Sequence, residues 1–233
     1  MSVRVTERDQ KALAKLAAAR WLTTRQIAAL CFSAVSIEMA RRRLRLLREA
    51  RYIRSLRANQ MAEALHTLGP RGRELLTEKG WEKAISVERR PPRNLEHFVG
   101  INHIRVAVER SAQSENVALG FFFACWELQQ NGWAYPIIPD AACHVQRSGK
   151  SITILFEYDR SEESVRYVVR TKFRAYAQGL SGFPFSLVVV VADTERRVAE
   201  LRKHAEQGLK PGLFSFVHME AIKRSWSLME SLS

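Results

Sequence analysis

The sequence predicts a two-domain protein that mixes helices and strands, with a basic domain at residues 1–88 and an α/β domain with a central mixed sheet at residues 89–233. The chain has 233 residues, of which 46% are hydrophobic, with 11 Gly and 7 Pro. That composition supplies apolar cores and is too poor in Gly and Pro for a disordered chain. A Pro pair in the charged stretch SVERRPPRN (86–94) resists helix and strand alike, so we place the boundary there.

The distribution of charge separates the two domains further. The chain carries 37 Lys and Arg against 24 Asp and Glu, for a net charge of +13 and a pI near 10.2. Residues 1–90 hold 20 of these basic and 9 of the acidic residues, a net of +11, and residues 91–233 hold 17 and 15, a net of +2. Such an excess disfavours an ordinary metabolic enzyme. It favours a polyanionic partner, nucleic acid first and an anionic membrane surface second.

The first domain begins with three short helices. Thr6 is placed to cap the first helix, and Thr23 and Gln26 have capping-box spacing at the start of the second. Ser36 is placed to cap a third helix over 36–50, whose apolar residues recur every three or four positions. The other faces of this third helix carry five arginines, which are Arg41, Arg42, Arg43, Arg45 and Arg48.

The rest of this domain predicts a hairpin and a closing helix. Residues 52–56 and 64–68 have the composition of two strands, and GPRGRELL (69–76) then begins a further helix. This domain therefore has two helices, a basic helix, a hairpin and a closing helix, in that order. It is the order of a winged helix-turn-helix domain, in which the third helix enters the major groove of DNA.

The arginines of the third helix are the candidate DNA contacts. Like charges three or four residues apart oppose helix formation, and a phosphate partner removes that cost. The alternative is a solvated helix face without a ligand. Arginine makes bidentate contacts with guanine or phosphate, and we assign base contacts to Arg41, Arg42 and Arg45 from their positions near the start of the helix. Arg48, Arg54 and Arg57 are better placed for phosphate contacts, and Arg43 is a candidate DNA contact without an individual role.

The second domain predicts the order α-β-β-β-α-β-α, which indicates an α/β fold. The predicted helices cover 95–112, 161–179 and 194–208, and the predicted strands cover 117–128, 135–145, 151–159 and 185–193. We expect Ser161 and Thr194 to cap the second and third of these helices.

Acidic residues in this domain predict a metal site. Asp140 lies in the second strand, and Glu157 and Asp159 lie two apart on the third, so the strand period points both to one face. Carboxylates from adjacent strands suit Mg²⁺, and Lys172 on the next helix is placed to orient an attacking water. Glu127 is a further candidate ligand on spacing alone. Each of these residues also has an ordinary structural explanation, as a turn former, a strand end or a lysine that covers apolar surface.

This element order, with PD and ExD at these positions, resembles the PD-(D/E)XK nuclease superfamily. The resemblance implies that Asp140 and Glu157 bind the metal and that a lysine completes the site. The pattern departs at its third position, where Asp159 stands in place of the lysine, and Lys172 on the following helix is the replacement that the resemblance suggests.

Across nearly its whole length the chain also resembles the replication-relaxation family of bacterial plasmids and integrative elements. The resembling segments are TERDQKALAKLAAARWLTTRQIAALCF, ARRRLRLLREARYI, NHIRVAV and the set IPDA…FEYDR…K…Y, which includes Tyr176. The resemblance implies a double-stranded DNA-binding accessory or regulatory protein in replication, relaxation or conjugative transfer of a mobile element. A relaxase or replication protein is the expected protein partner, and a homodimer is expected on palindromic DNA.

Two alternatives remain open at this point. One is a Mg²⁺-dependent DNA endonuclease or nickase that the first domain directs to its site, and the other is a transcriptional regulator whose second domain senses a ligand or dimerises. The scattered cysteines Cys31, Cys125 and Cys143 form no CxxC pair and are expected to be buried thiols. Without a membrane span or a signal peptide, we expect a cytoplasmic protein with no membrane partner.

Overall fold

The computed structural model separates into two compact units, Met1–Asn102 and His103–Ser233, which we describe one at a time. It describes residues 3–32, 35–57, 62–81, 87–88, 90–133, 137–180, 186–206 and 212–228. The fold is mixed α and β, as predicted. In the described part of the chain, no helix combines the length and the apolar character needed to cross a bilayer.

Unit 1 is a helical layer with a small sheet. Its elements are α1 (Glu7–Ala19), β1 (Leu22–Thr23), α2 (Thr24–Cys31), α3 (Ile37–Glu49), β2 (Ile53–Leu56), β3 (Leu65–Leu68), α4 (Pro70–Glu78) and the first part of α5 (Leu95–Ser114). The three strands are antiparallel in the order β1-β3-β2. Large apolar side chains from α1, α3 and the sheet fill the core, among them Leu13, Leu16, Leu44, Leu47 and Leu68.

The predicted helix caps of unit 1 are confirmed. Thr6 accepts a hydrogen bond from the Asp9 amide, and the Asp9 carboxylate accepts one from the Thr6 amide. Thr23 and Gln26 make the same reciprocal pair at the start of α2, and Ser36 accepts from the amide of Met39 at the start of α3. These caps depend only on residues three apart, which is why local sequence predicts them.

Strand β1 was not predicted, because two residues are too few for a periodic pattern. It forms because Leu22 and Thr23 lie opposite His66 and Leu65 of β3. The third strand of the sheet is therefore a tertiary feature.

The division between the units falls inside α5, beyond the Pro pair that we used to place it. The Gln26 side-chain amide donates to the Val99 carbonyl at 3.0 Å, and the Asn102 amide donates to the carbonyls of Ala19 and Trp21 at 3.3 and 2.9 Å. The first eight residues of α5 therefore belong to the compact unit formed by the preceding residues. Ser86 and Arg89 of the predicted linker lie outside the described residues.

Unit 2 is built on a five-stranded mixed sheet in the order β4-β5-β6-β7-β8. Its strands are β4 (Ala118–Ala124), β5 (Ala141–Arg147), β6 (Lys150–Asp159), β7 (Ser186–Ala192) and β8 (Phe214–His218). The pairs from β4 to β6 are antiparallel and those from β6 to β8 are parallel. The inner strand β7 is apolar and buried from Leu187 to Ala192, as a strand covered on both faces should be.

Helices surround the sheet of unit 2. They are the end of α5, α6 (Cys125–Leu128), α7 (Val165–Val168), a π-helical segment (Val169–Phe173), α8 (Arg174–Gly179), α9 (Glu195–Glu206) and α10 (Met219–Ser225). The segments from Val165 to Gly179 are contiguous, and Val168, Phe173, Tyr176 and Leu180 pack against β6, β7 and α9.

Several predicted boundaries in unit 2 are wrong. Strand β4 ends at Ala124, and the following residues to Leu128 form a short helix, because the Glu127 carboxylate accepts from the Ala124 amide and caps that helix. Strand β5 begins at Ala141, so Asp140 precedes the strand instead of lying in it. The cap of α7 is Ser164, not Ser161, whereas the Thr194 hydroxyl caps α9 as predicted.

The carboxyl-terminal elements β8 and α10 were not predicted. The expected stop of the preceding helix at Gly208 lies outside the described residues. Of the three cysteines, Cys143 alone is buried, and Cys31 and Cys125 are half-buried, so the expectation of three buried thiols is wrong.

A buried ion pair joins α1 to α3. The Asp9 side chain is buried, and Arg43 donates to its two oxygens at 2.8 and 2.5 Å and to the Arg4 carbonyl at 2.7 Å. Burial by itself would raise the pKa of Asp9, but hydrogen bonds from Arg43 and Thr6 outweigh it and lower the pKa. Arg43 is therefore a structural residue of unit 1.

Replacing Arg43 with Ala should leave the Asp9 carboxylate buried without its cation. We expect the free energy of unfolding at pH 7 to fall by about 2 kcal/mol, less than the ~3–5 kcal/mol of a fully buried pair because the Arg43 side chain is 24% exposed. Since the pKa of Asp9 is lowered by folding, the pair stabilises above the unfolded pKa, and the difference between the two proteins should shrink on acidification below about pH 4.

Chemical denaturation at pH 7 and pH 3 measures this difference. Arg42→Ala on the same helix is the control, because Arg42 is exposed, and its effect should stay within about 0.5 kcal/mol. Equal stability of the two variants at pH 7 would contradict the structural role of Arg43.

Candidate nucleic-acid interface and acidic cluster

A concave surface of about 490 Å³ lies between α3 and the β2–β3 hairpin. We call it the α3 groove. Arg41, Arg45 and Arg48 occur at i, i+4 and i+7 of α3, so they share one face of the helix, and Arg57 follows the end of β2. The groove is lined by Thr24, Glu38, Arg41, Arg42, Leu44, Arg45, Arg48, Ser55, Leu56, Arg57, Ala64 and His66. Each of the arginines at 41, 45 and 48 directly follows one of the buried residues Ala40, Leu44 and Leu47, so the cationic face adjoins the buried face, about 100° around the helix.

Buried His66 lies in this groove and was not singled out by the sequence. Its Nε2 is 2.9 Å from the Thr24 hydroxyl and its Nδ1 is 2.8 Å from the Ser55 hydroxyl. Burial, and then the charges of Arg48 and Arg57, lowers the pKa of His66 to about 4. The imidazole is neutral at pH 7, so the positive charge of the groove comes from its arginines.

Most of the predicted DNA-contacting arginines are exposed and without a counter-ion. Arg41 lies 3.5 Å from Glu38, and both side chains are solvent-exposed. Within the residues that the structure describes, no hydrogen bond or ion pair engages the five others, which are Arg42, Arg45, Arg48, Arg54 and Arg57. Arg54 is exposed on β2 but does not line the groove.

Arg43 departs from the predicted set. Its guanidinium is bound to Asp9 and to the Arg4 carbonyl, as described above, so the structure does not place it with the groove arginines. A periodic pattern does not separate Arg43 from its neighbours, because the residue that distinguishes them, Asp9, lies 34 positions away.

In unit 2 the structure brings Asp140, Glu157 and Lys172 together. Since Ala141 pairs with Phe156, Asp140 and Glu157 lie at adjoining positions of the β5–β6 pair. Asp140 accepts a hydrogen bond from the Tyr158 amide at 2.8 Å. Glu157 is buried, and Lys172 Nζ lies 3.6 Å from its Oε2. We refer to these residues, with Tyr176 and Glu163, as the acidic cluster.

Tyr176 and Glu163 complete the acidic cluster. The Tyr176 hydroxyl donates to Glu157 Oε1, and Lys172 Nζ lies 3.3 Å from Glu163 Oε2. Tyr176 entered our prediction only through the family resemblance, and Glu163 did not enter it. Glu163 belongs to the cluster because it pairs with Lys172. That pair depends on the helix presenting Lys172 to both Glu157 and Glu163.

The π-helical segment explains the direction of Lys172. Val168 and Phe173 are both buried although they are five residues apart, a spacing that one π turn supports and an α-helix does not. With Phe173 in the core, Lys172 lies at the edge of the helix, where it reaches Glu157. The sequence contains no signal for a π turn that we could have used.

The electrostatics of the acidic cluster follow from its burial. Burial, and then the Asp140 carboxylate, raises the pKa of Glu157 to about 7, while Lys172 and Tyr176 act in the opposite direction. Burial would lower the pKa of Lys172, but the surrounding carboxylates, Glu157 first, raise it. Burial and Glu157 also raise the pKa of Tyr176.

Asp159 and Glu127 are not part of this cluster. Both oxygens of Asp159 accept hydrogen bonds from Arg197, at 3.0 and 2.9 Å, and the same guanidinium reaches the Glu163 carbonyl at 2.6 Å. Glu127 is buried in an ion pair with Arg105, whose guanidinium lies 4.7 Å from the ring centre of Phe122. Spacing alone suggested Glu127 as a metal ligand, and its ion pair with Arg105 does not support that expectation.

The residues present do not fit a Mg²⁺ site of the kind that the sequence predicted. Mg²⁺ demands near-octahedral oxygen ligands. Here the two Glu157 oxygens face Tyr176 and Lys172, and both Asp159 oxygens face Arg197. Among the described residues, no three His, Cys, Asp or Glu side chains are grouped so as to hold a metal ion. The arrangement can share a proton and fix the helix against the sheet.

Glu157→Gln should change how the stability of the protein depends on pH. Because the pKa of Glu157 rises from 4.5 to about 7 on folding, its contribution is fully present below about pH 4.5 and is lost as the pH rises through 7. We expect the thermal unfolding midpoint of the unmodified protein to fall between pH 5 and pH 8 by more than that of the variant, whose amide does not ionise. Glu162→Gln, at an exposed residue, should keep the original pH dependence. Parallel curves for all three proteins would contradict this assignment.

The chain was compared with protein families, curated proteins and solved structures. No curated protein and no solved structure matches it. The model of one family, described as replication-relaxation, matches residues 13–182. The match begins within α1 and continues past Tyr176, so it takes in the α3 groove and the acidic cluster together. The chain therefore belongs to the replication-relaxation family.

Proposed function

We propose that this protein binds double-stranded DNA through unit 1 and acts as an accessory or regulatory protein of a bacterial plasmid or mobile element. Membership of the replication-relaxation family suggests a role in replication or relaxation of such an element. The observation that carries the DNA-binding proposal is the α3 groove, a concave surface lined by exposed arginines, of which all but Arg41 lack an ion pair among the described residues.

The topology of unit 1 supports a winged helix-turn-helix domain. The order α1-β1-α2-α3-β2-β3 and the sheet order β1-β3-β2 place a hairpin directly after the basic helix. In this kind of domain the basic helix lies in the major groove, where arginine reads guanine through paired hydrogen bonds. We propose that α3 is the recognition helix and that the β2–β3 hairpin is the wing.

The positions of the arginines suggest how the contacts are shared. Arg41 and Arg45 lie nearer the start of α3, the end that contacts base edges in helix-turn-helix domains. Arg48 and Arg57 flank His66 at the hairpin side of the groove and are placed for phosphates. We retain Arg42 and Arg54 as further contacts, because both are exposed. Arg43 is left out because of its pair with Asp9.

Two partners follow as proposals from this function. A relaxase or replication protein of the same element would bring the bound DNA into the reaction, and a homodimer would match a palindromic target. Sedimentation of the protein with and without a palindromic duplex measures the dimer.

The triple variant Arg45→Ala/Arg48→Ala/Arg57→Ala should lose duplex binding. Each phosphate contact contributes about 0.9 to the slope of log K against log salt, so the loss of the two phosphate contacts assigned to Arg48 and Arg57 corresponds to a decrease of about 2 in that slope. Fluorescence anisotropy with a labelled duplex over a range of salt concentrations measures both affinity and slope.

A matched control removes the same charge elsewhere in unit 1. Lys11, Arg73 and Lys79 are exposed and lie outside the α3 groove, so Lys11→Ala/Arg73→Ala/Lys79→Ala should retain most of the affinity. If both triple variants bind alike, the assignment of the groove is wrong.

The endonuclease alternative makes an opposite prediction for unit 2. Because both Glu157 oxygens are engaged by Tyr176 and Lys172, and Asp140 accepts a hydrogen bond from the Tyr158 amide, we propose binding without cleavage. Supercoiled plasmid incubated with the protein and Mg²⁺ or Mn²⁺ should remain supercoiled on an agarose gel. Nicking that disappears in Asp140→Ala and Glu157→Ala would replace our proposal with the endonuclease.

A further inference from the structure

The helix that runs from α7 to α8 in unit 2 carries a row of exposed arginines. Arg166, Arg170 and Arg174 follow one another at intervals of four residues, and all three are exposed. Tyr167, next to the first of them, is 50% exposed. We call these four residues the α7–α8 stripe. It lies outside the α3 groove and outside the acidic cluster.

The π-helical segment keeps these arginines in line. In an α-helix, a residue four positions on overshoots a full turn, since one turn takes 3.6 residues. A π turn holds more residues, so the fourth residue falls short of a full turn instead. One turn of each kind lies along the stripe, and the two deviations offset each other. The same π turn that buries Phe173 therefore aligns Arg166, Arg170 and Arg174.

The carboxylates nearest in sequence to the stripe are already paired with other cations. Glu162 is paired with Arg160 at 2.8 Å, Glu163 with Lys172 at 3.3 Å, and Asp159 with Arg197 at 2.9 Å. No ion pair or hydrogen bond of the three stripe guanidiniums occurs among the residues described here. Like charges four residues apart destabilise a helix, so these three arginines do not contribute to the stability of the helix that carries them.

We propose that the α7–α8 stripe binds the phosphate backbone of double-stranded DNA, as a second and sequence-independent contact surface. Arg166 to Arg174 span about 12 Å of helix, over which one strand of DNA carries three to four phosphates. Guanidinium groups bind phosphate oxygens through paired hydrogen bonds, and tyrosine hydroxyls also bind phosphates. This proposal rests on the proposed function, which identifies DNA as the ligand, and it extends DNA binding to unit 2.

The test compares two variants of the full chain that remove the same charge from unit 2. Arg166→Ala/Arg170→Ala/Arg174→Ala removes the stripe. Arg196→Ala/Arg202→Ala/Lys203→Ala removes three exposed cations from α9 and is the control. Alanine favours the helix and like-charge repulsion is removed, so the unfolding midpoint of the stripe variant should be unchanged or higher, which separates lost binding from lost folding.

Binding is measured by anisotropy with a long duplex of arbitrary sequence over a range of salt concentrations. The stripe variant should bind at least tenfold more weakly at low salt, with a slope of log K against log salt reduced by about 2 to 3, and the control should stay close to the unmodified protein. Equal affinity and slope for the stripe variant and the control would overturn the proposal and would favour an acidic protein as the ligand of the stripe.

The groove variant of unit 1 separates the two proposals. If the groove variant loses sequence-specific binding and the stripe variant equals its control, the stripe proposal alone fails. If the stripe variant weakens binding and the groove variant does not, the proposed function of the α3 groove fails and the stripe proposal stands.

Discussion

The pairing of buried carboxylates with cations is the constraint on which both units depend. A buried charge is costly unless a partner of opposite charge and suitable hydrogen bonds satisfy it. Asp9 is matched by Arg43, Glu127 by Arg105, and Asp159 by Arg197. Each pair joins elements that are distant in the chain, so these acids fix the packing of a helix, and Asp9 and Glu127 also cap the helices on which they lie.

The same constraint distinguishes two groups among the arginines of this chain. Arg43, Arg105 and Arg197 are bound to buried carboxylates and are themselves largely buried. The remaining arginines of α3 and of the α7–α8 helix have no such partner in the described part of the chain, and they face solvent. Among the exposed cations of the described residues, these arginines form two groups that each share one face of a helix.

The acidic cluster contains residues that the sequence predicted as metal ligands, and the structure pairs them with other groups of the protein. The strands bring Asp140 and Glu157 to adjoining positions, and Lys172 reaches Glu157, as the sequence suggested. The hydrogen bond from Tyr176 and the pair between Asp159 and Arg197 then occupy the oxygens that a metal would need. The π turn contributes to this arrangement, because with Phe173 in the core Lys172 reaches Glu157.

The sequence by itself determined the features that depend on neighbouring residues. The caps at Thr6, Thr23 and Ser36, the apolar strand β7 and the basic character of α3 all follow from residues a few positions apart. The tertiary structure alone decided which charged residues are structural, since the partner of Arg43 lies 34 positions away and that of Asp159 lies 38 away. It also decided strand β1, the π turn and the end of unit 1 within α5. In each of these, long-range packing and hydrogen bonding outweigh a weak or absent local preference.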